Sequence, residues 1–551
     1  MAKTDNLTDF LTDVANAIRE KKGTTDLINP QDFASEIASI EGGGEEAPET
    51  PEFSDVEWTG HADEEGLRAI GWDDDDIAYF QQYGVNWNEE DDDAHKVSEE
   101  NKAVYGLLTA NNLSSYKNNI VYFPKIDTSV RTTFSSYFNN MYWLEGVPFL
   151  DTSNATNVSR MFANCSSLLA VPPLNTSKAT NTSGMFSGCR MLRYIPPFDN
   201  SQSTDTNGMF QYCALLQEVP WLETQNVTNM SNMFNGCLLL KEIPAYNTQK
   251  VTNMGSMLYN CRRITEIPAF DTQSVTNMSS MFYNCYRLRK VPQFNTQNVT
   301  TMASMFYGCL RLMDVPQLDT FNVTTMANMF QNCYNLQRVP NMDTTNVTTM
   351  ANMFYNCSSL IDAPTMNTNN VTLMNSLFFG CAHLVSAPAL DTSNVTTMEG
   401  MFNGCNALQY IPDLDADKTT TTKNMFNSCF SLQRTPKIDT ATATNIDAMF
   451  TNASALVVIP EVDMQKVASV ASAPFNKCYA LRDVKVKNMK VNTSFTFCYQ
   501  LSKESILYMI NNEAATGAIT INLQSNVYTR YAEDEDVLAA LANHPNISLA
   551  K

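Results

Sequence analysis

The sequence VPQFNTQNVTTMASMFYGCLRLMD, residues 291–314, contains the pattern that decides the fold. Pro292 cannot continue a helix or donate to a β-ladder, so the segment up to Thr296 is predicted to be extended. The apolar residues that follow recur at helical spacing: Val299, Met302, Met305, Phe306 and Cys309. This unit therefore predicts a short strand, a turn and a short helix.

The same pattern recurs every 24 residues. Fifteen of the 22 prolines keep this spacing: Pro124, Pro148, Pro172, Pro196, Pro220, Pro244, Pro268, Pro292, Pro316, Pro340, Pro364, Pro388, Pro412, Pro436 and Pro460. Such a period is typical of a solenoid, in which each unit buries its apolar columns against its neighbours. We predict an α/β solenoid of about 15 units over residues 121–500, each a rung of strand, turn and helix.

The repeated side chains have structural explanations. Methionine and phenylalanine columns such as Met305-Phe306 are predicted to be core ladders rather than a cofactor site. Twelve of the 14 cysteines are spaced 24 residues apart, from Cys165 to Cys429, one in each unit. We predict buried thiols rather than disulfides or zinc ligands, because close cysteine pairs are missing.

The N-terminal region has three predicted parts. Residues 1–41 form two short amphipathic helices, residues 42–56 a linker, and residues 57–120 an acidic module rich in aromatic residues. The helices bury too little surface to fold alone, so we expect them to pack on a partner chain or on copies of themselves. The alternative is a self-contained helical hairpin. The docking residues would be Leu7, Phe10, Leu11, Val14, Ile18, Phe33 and Ile37.

The acidic residues are concentrated in one segment. Residues 45–100 hold 20 Asp and Glu against Arg68 and Lys96. Carboxylate runs can bind calcium, but these runs lack the alternating ligands and central glycine of a calcium loop. A solvated acidic surface is the favoured interpretation, and calcium binding stays open.

At the other end, the repeat spacing breaks after Pro460. Residues 502–512 and 536–543 have helical patterns, and residues 519–523 a strand pattern. We predict that residues 501–551 form an α+β cap, because an open solenoid end needs a polar outer surface.

Charge and hydropathy exclude several classes of function. The net charge is −22 and the sequence pI about 4.6, so the basic surface of a nucleic-acid or anionic-membrane binder is missing. No apolar run is long enough for a membrane span, and the N-terminal sequence lacks the pattern of a signal peptide. We therefore expect the chain to be made in a bacterial cytoplasm.

Positions that vary between units are where a solenoid places its binding residues. Aromatic and arginine side chains collect at such positions: Trp221, Tyr259, Arg262, Arg263, Tyr283, Tyr286, Arg287, Tyr307, Arg311, Tyr334 and Arg338. We predict a ligand-binding surface, since these residue types dominate binding hot spots. The alternative is that they only shield the edges of the rungs.

Nothing in the sequence favours catalysis. The four histidines belong to no motif, and recurrent aspartates such as Asp319 and Asp343 are explained by turn formation. We predict no enzyme activity and no cofactor or metal. A glycan depolymerase that uses paired carboxylates is the remaining enzymatic alternative.

The consensus Val-Pro-x-Leu-Asp-Thr-x-Asn-Val-Thr-x-Met-x-x-Met-Phe-x-x-Cys-x-x-Leu, almost intact at residues 387–408, resembles the BspA-like leucine-rich repeat family. Its members are mostly cell-surface adhesins of bacteria and protists, and related arrays occur in phage structural proteins. LTDVANAIREKKGT (11–24) with INPQDF (28–33), and LSKESILYMINN (501–512), are similar to the ends of tail and fibre proteins of phages that infect gut bacteria.

These resemblances imply a phage virion appendage, either a tail or a head fibre. Its N-terminal helices would dock on other virion proteins, and its solenoid would bind a host-surface receptor or glycan. A homo-oligomer, a trimer by analogy with fibres, is implied. The alternative is a bacterial cell-surface adhesin.

Overall fold

The computed structural model describes residues 67–68, 70–83 and 120–551, and it divides into two compact units, Met1–Arg263 and Ile264–Lys551. The predicted docking residues between Leu7 and Ile37 lie outside the described residues, as does most of the acidic segment. Among the described residues, no helix is both long and apolar enough to cross a membrane.

Each unit is a stack of rungs joined by isolated parallel bridges. In the first unit the bridges connect residues 24 apart, as in Asn157↔Asn181 and Asn229↔Asn253. In the second unit they continue with the same step, as in Thr301↔Thr325 and Thr397↔Thr421. The sequence period is therefore the length of one turn of a repeat solenoid.

The helix predicted in each rung is wrong, since residues 120–457 contain turns and isolated bridges. Between Met302 and Cys309, backbone N–H groups alternate between hydrogen bonds to the next rung and hydrogen bonds within the same rung. Ser304 and Phe306 donate their N–H groups to the following rung, each at 2.9 Å. Met305 and Tyr307 donate to the carbonyl three residues earlier, each at 3.1 Å. The strand predicted in these rungs is also reduced to single bridges.

The reason is a left-handed residue every four positions. Ser304 has φ 56° and Gly308 has φ 69°, and Asn328 and Asn332 repeat the pair at 58° and 62° in the next rung. A left-handed residue ends an α-helix after one turn, and Ser, Asn and Gly tolerate this conformation better than most residues. The segment therefore folds as consecutive turns.

The core consists of the predicted ladders. Phe306 and Phe330 are stacked with ring centroids 5.5 Å apart, and Met305 is fully buried. The Cys309 thiol donates to the carbonyl of Phe282 at 3.2 Å, a contact that also occurs in the first unit between Cys189 and Phe162 at 3.1 Å. The repeated apolar positions thus bury side chains between rungs and satisfy the thiols at the same time.

Polar side chains outside the core connect successive rungs. Thr300 donates its hydroxyl to the carbonyl of Thr276 at 3.2 Å, and Asn298 donates its amide to the carbonyl of Gln273 at 2.7 Å. The predicted turn role of the aspartate column is confirmed at Asp319, whose Oδ1 accepts the N–H of Phe321 at 3.2 Å. The Asn-Val-Thr triplets are therefore stacking residues.

Helix α1 (Asp74–Tyr83) belongs to the acidic region and packs on the first rungs. Trp72 donates its indole N–H to the carbonyl of Phe123 at 2.8 Å, and Tyr79 donates its hydroxyl to the carbonyl of Val171 at 2.9 Å. Its buried Asp76 accepts the N–H of Phe149 at 2.7 Å. These residues share one core with the repeats, while the boundaries of the 57–120 module stay a prediction.

The repeats give way to regular strands and helices near the C-terminus. In chain order these are β1 (Val458–Asp463), β2 (Asp483–Lys487), β3 (Thr493–Phe495), α2 (Lys503–Asn511), β4 (Ile519–Leu523), α3 (Ser525–Tyr531), α4 (Glu535–Asn543) and β5 (Ile547–Ala550). Strand β1 pairs with β2, and β3, β4 and β5 form a second parallel sheet in that order. The predicted helices near 502–512 and 536–543 and the strand at 519–523 are confirmed.

Candidate binding surface

Two tyrosines of the predicted surface are stacked on each other in the second unit. Tyr283 and Tyr307 hold the same repeat position one rung apart, with ring centroids 4.2 Å apart and ring planes 5° from parallel. Both side chains are half-buried. Tyr355 and Phe379 form a similar stack at 4.4 Å further along this unit. The rung spacing thus holds these rings in a fixed order along one side of the unit.

Two arginines share a second repeat position. Arg287 and Arg311 lie one rung apart and are exposed. Within the described part of the chain, neither guanidinium has a carboxylate within salt-bridge distance or a hydrogen bond to a protein acceptor. Both charges are therefore available to a ligand.

A neighbouring repeat position carries charges of alternating sign. It holds Glu266, Lys290, Asp314, Arg338 and Asp362 in successive rungs. Lys290 lies 3.5 Å from Glu266, and both side chains are largely exposed. Arg338 stands between Asp314 and Asp362 in this column, so its neighbours one rung away on both sides carry the opposite charge. Arg338 thus differs from Arg287 and Arg311, although the sequence groups all three.

The predicted binding residues are divided between the two units. Tyr259, Arg262 and Arg263 lie in the first unit, where both arginines are exposed and Tyr259 is half-buried. Trp221, also in the first unit, is 55% exposed but follows a rung proline, so it occupies a different repeat position. In the second unit, Tyr286 is half-buried and Tyr334 is exposed.

The structure also contains a polar groove that the sequence did not predict. Its volume is about 420 Å³, and it is lined by Gln293, Phe294, Asn295, Thr296, Gln317, Leu318, Asp319, Thr320 and Asp343. Gln293 donates its amide to the carbonyl of Gln317 at 2.6 Å, and Gln317 repeats the contact with Asn341 at 2.9 Å. The hydroxyl and then the backbone N–H of Thr345 hold the pKa of Asp343 below its usual value.

Sequence reasoning also missed an exposed aromatic pair in the first unit. Tyr142 is 48% exposed and Trp143 is 61% exposed. They hold the same two repeat positions that Tyr286 and Arg287 hold in the second unit. That shared position was the signal by which Tyr142 and Trp143 could have been found.

The described residues include no group of three or more His, Cys, Asp or Glu side chains that could hold a metal ion. All 14 cysteines are buried free thiols. Burial raises the pKa of the Cys498 thiol to about 12, and burial also raises the pKa of Cys309 well above its usual value. These thiols are therefore protonated and are poor nucleophiles or metal ligands.

A family model described as "Mycoplasma protein of unknown function, DUF285" matches five overlapping segments: 109–220, 204–314, 286–388, 362–462 and 385–486. Together these segments cover more than half of the chain. The chain belongs to the DUF285 family. The DUF285 matches include all the residues of the predicted binding surface, from Trp221 to Arg338.

No curated protein matches this DUF285 chain in sequence. Among solved structures it is similar to a leucine-rich repeat protein from Eubacterium ventriosum, at 15% identity and a TM-score of 0.32, covering 72% of this chain and 89% of that one. It is also similar to an internalin from Listeria monocytogenes, at 10% identity and a TM-score of 0.21, covering 56% and 84%. At these scores the fold rests on the rung geometry itself.

Proposed function

We propose that this chain is a binding protein without catalytic activity, whose second unit presents tyrosine and arginine side chains to a ligand on a host surface. The observation that carries this proposal is the pair Arg287 and Arg311, which are exposed and have no ion-pair or hydrogen-bond partner among the residues that the structure describes. Tyr283 and Tyr307, which are stacked on each other, precede the two arginines by four residues in the same rungs. Arginine and tyrosine are enriched in binding hot spots because they combine apolar area with directional hydrogen bonds.

The rung geometry supports a binding role in a second way. Side chains at these positions are spaced by the hydrogen bonds between rungs, so neighbouring contacts are held at about 4.8 Å before any ligand arrives. A preformed surface loses little conformational entropy on binding. The inter-rung bond from Phe306 to Met329, at 2.9 Å, is part of this framework in the second unit.

We further propose that the setting is a phage virion, in which the chain is a tail or head fibre. The support is the similarity of residues 11–33 and 501–512 to the ends of such proteins. The two helices predicted from the sequence for residues 1–41 would dock on other virion proteins, and a homo-oligomer, a trimer by analogy, would present the repeats. A bacterial cell-surface adhesin is the competing assignment, because the repeats themselves suit both settings.

Immuno-electron microscopy of particles and cells from the source tests the setting. An antibody against residues 121–500 should label virions at fixed positions, which would also show whether the appendage belongs to the capsid or the tail. If the label is confined to bacterial cells, the fibre assignment is wrong and the adhesin assignment takes its place. The binding role is tested by mixing purified protein with intact host cells and sedimenting the cells. If the protein does not sediment with the cells, the binding role is contradicted in either setting.

A further inference from the structure

The charge pattern around Arg287 and Arg311 differs from the rest of the second unit. Residues 283–313 contain Arg287, Arg289, Lys290 and Arg311, and no Asp or Glu. Lys290 is offset by Glu266 at 3.5 Å. Arg287 and Arg311 have no such partner among the described residues.

Like charges at neighbouring positions of adjacent strands are destabilising, so a column of two arginines opposes folding slightly. The alternating column from Glu266 to Asp362 shows that this unit also contains the favourable arrangement. The unfavourable arrangement at Arg287 and Arg311 is explained when an anion from outside the chain lies between or along them.

We propose that Arg287 and Arg311 bind an acidic polysaccharide, whose carboxylate or phosphate groups contact successive guanidinium groups. This inference rests on the proposed binding function and names its ligand class. A guanidinium group binds a carboxylate or phosphate through two parallel hydrogen bonds, which gives both affinity and orientation. Rungs about 4.8 Å apart place two such groups within the length of one or two sugar residues.

A carbohydrate fits this surface better than a nucleic acid. Nucleic-acid binders neutralise many phosphates along a wide basic surface, whereas this chain carries a net charge of −22. The arginine pair is a local site, screened from charges beyond about 8 Å at physiological salt. The rings of Tyr283 and Tyr307, four residues before the two arginines in the same rungs, form a rigid, partly apolar stack of the kind that suits the apolar faces of sugar rings.

The test is direct binding by the full chain, measured by calorimetry against polygalacturonate, phosphorylated dextran, neutral dextran and a single-stranded oligonucleotide. We expect binding to polygalacturonate or phosphorylated dextran, which distinguishes the two acidic groups, with little binding to neutral dextran. The double variant Arg287→Ala/Arg311→Ala should weaken that binding at least about tenfold and flatten its salt dependence.

The matched control is Arg434→Ala/Arg530→Ala, which removes the same charge from exposed positions of the second unit outside the predicted surface. We expect it to change affinity less than about twofold. Arg287→Lys/Arg311→Lys keeps the charge without the paired hydrogen bonds and should be intermediate. Equal losses in both alanine variants, failure to bind either acidic polymer, or tighter binding of the oligonucleotide would overturn the proposal.

The same variants separate this inference from the proposed function. If wild type attaches to host cells and the Arg287→Ala/Arg311→Ala variant attaches equally well, the acidic ligand is wrong and the binding role stands. If wild type itself does not attach to host cells, the binding role fails, whatever the polymers show.

Discussion

A Cβ atom added to Gly308 would overlap Oδ1 of Asn284, one rung earlier. Gly308 also has φ 69°, a conformation that costs an L-residue free energy. The close approach arises because Gly308 and Asn284 hold the same repeat position in stacked rungs. At this position, therefore, the side chain of one rung limits what the next rung can carry.

Gly308→Ala should lower the free energy of unfolding by about 1–3 kcal/mol, because it combines a left-handed backbone with a steric conflict. Gly308→Asn should cost less, since asparagine tolerates this backbone and can donate to the neighbouring amide. Asn356 does so to Oδ1 of Asn332 at 3.1 Å. Denaturant unfolding measures the loss of unfolding free energy in both variants. An equal or greater loss for Gly308→Asn than for Gly308→Ala would contradict this account.

Met305→Asp should destabilise the second unit by several kcal/mol, since it places an unpaired carboxylate between rungs where Met305 is fully buried. The matched control is Met313→Asp, because Met313 is 52% exposed. We expect the control to change the free energy of unfolding by less than about 0.5 kcal/mol. Similar losses at both positions, measured by denaturant unfolding, would show that the burial of Met305 is not what matters.

The sequence predicted the stacking but not the shape of a rung. A period of 24 residues requires residues such as Thr325 and Thr349 to pair, and they do. The spacing of Met302, Met305 and Phe306 fits one helical turn and also fits two successive turns. The distinguishing signal was the recurrence of Ser, Asn or Gly four residues apart, which marks left-handed positions.

The binding surface was predicted only in part, because the surroundings of each arginine depend on which residues the neighbouring rungs place next to it. By residue type, Arg287 and Arg338 look equivalent. In the stacked rungs they differ, because Arg338 has acidic residues at the same repeat position on both sides and Arg287 does not. The polar groove was missed because Asp319 has a sufficient local explanation as a turn residue. Gln293 lines this groove because its side-chain amide donates a hydrogen bond to the next rung, and no local sequence pattern reveals such a contact.

Asp76→Ala should destabilise the contact between α1 and the first rungs by about 2 kcal/mol. The buried carboxylate accepts the N–H of Phe149 at 2.7 Å and pairs with Lys125 at 2.9 Å, so its loss leaves both donors without this acceptor. Trp72 fluorescence during denaturant unfolding reports on this contact. Asp74→Ala is the control, since Asp74 is 76% exposed and we expect almost no change. Equal effects would exclude a structural role for the buried carboxylate.

Acid should weaken the turns that Asp343 and Asp391 cap. Hydroxyl donors, Thr345 for Asp343 and Ser393 for Asp391, hold the pKa of each carboxyl below its usual value of 3.8. A lowered pKa means that this stabilisation is complete above the unfolded value and is lost as the pH falls through the folded value. Asp343→Asn/Asp391→Asn keeps a capping oxygen that does not titrate.

We therefore expect the thermal midpoint of the double variant to fall less than that of wild type between about pH 5 and about pH 3. The comparison is made by calorimetry at constant ionic strength. Parallel decreases in the two proteins would mean that other carboxyl groups cause the acid sensitivity.

The 14 cysteines should be unreactive in the folded chain and reactive after unfolding. All are buried, and the thiols of Cys309 and Cys333 each donate to a phenylalanine carbonyl of the preceding rung, Cys333 to that of Phe306 at 3.0 Å. Burial raises the pKa of Cys333, which removes the thiolate that a thiol reagent needs. Titration with an aromatic disulfide reagent near neutral pH should detect no thiols in native protein and 14 in guanidinium chloride. Rapid reaction of several thiols in the native chain would mean that the rungs open locally, so the inter-rung bonds that hold the binding residues would not be permanent either.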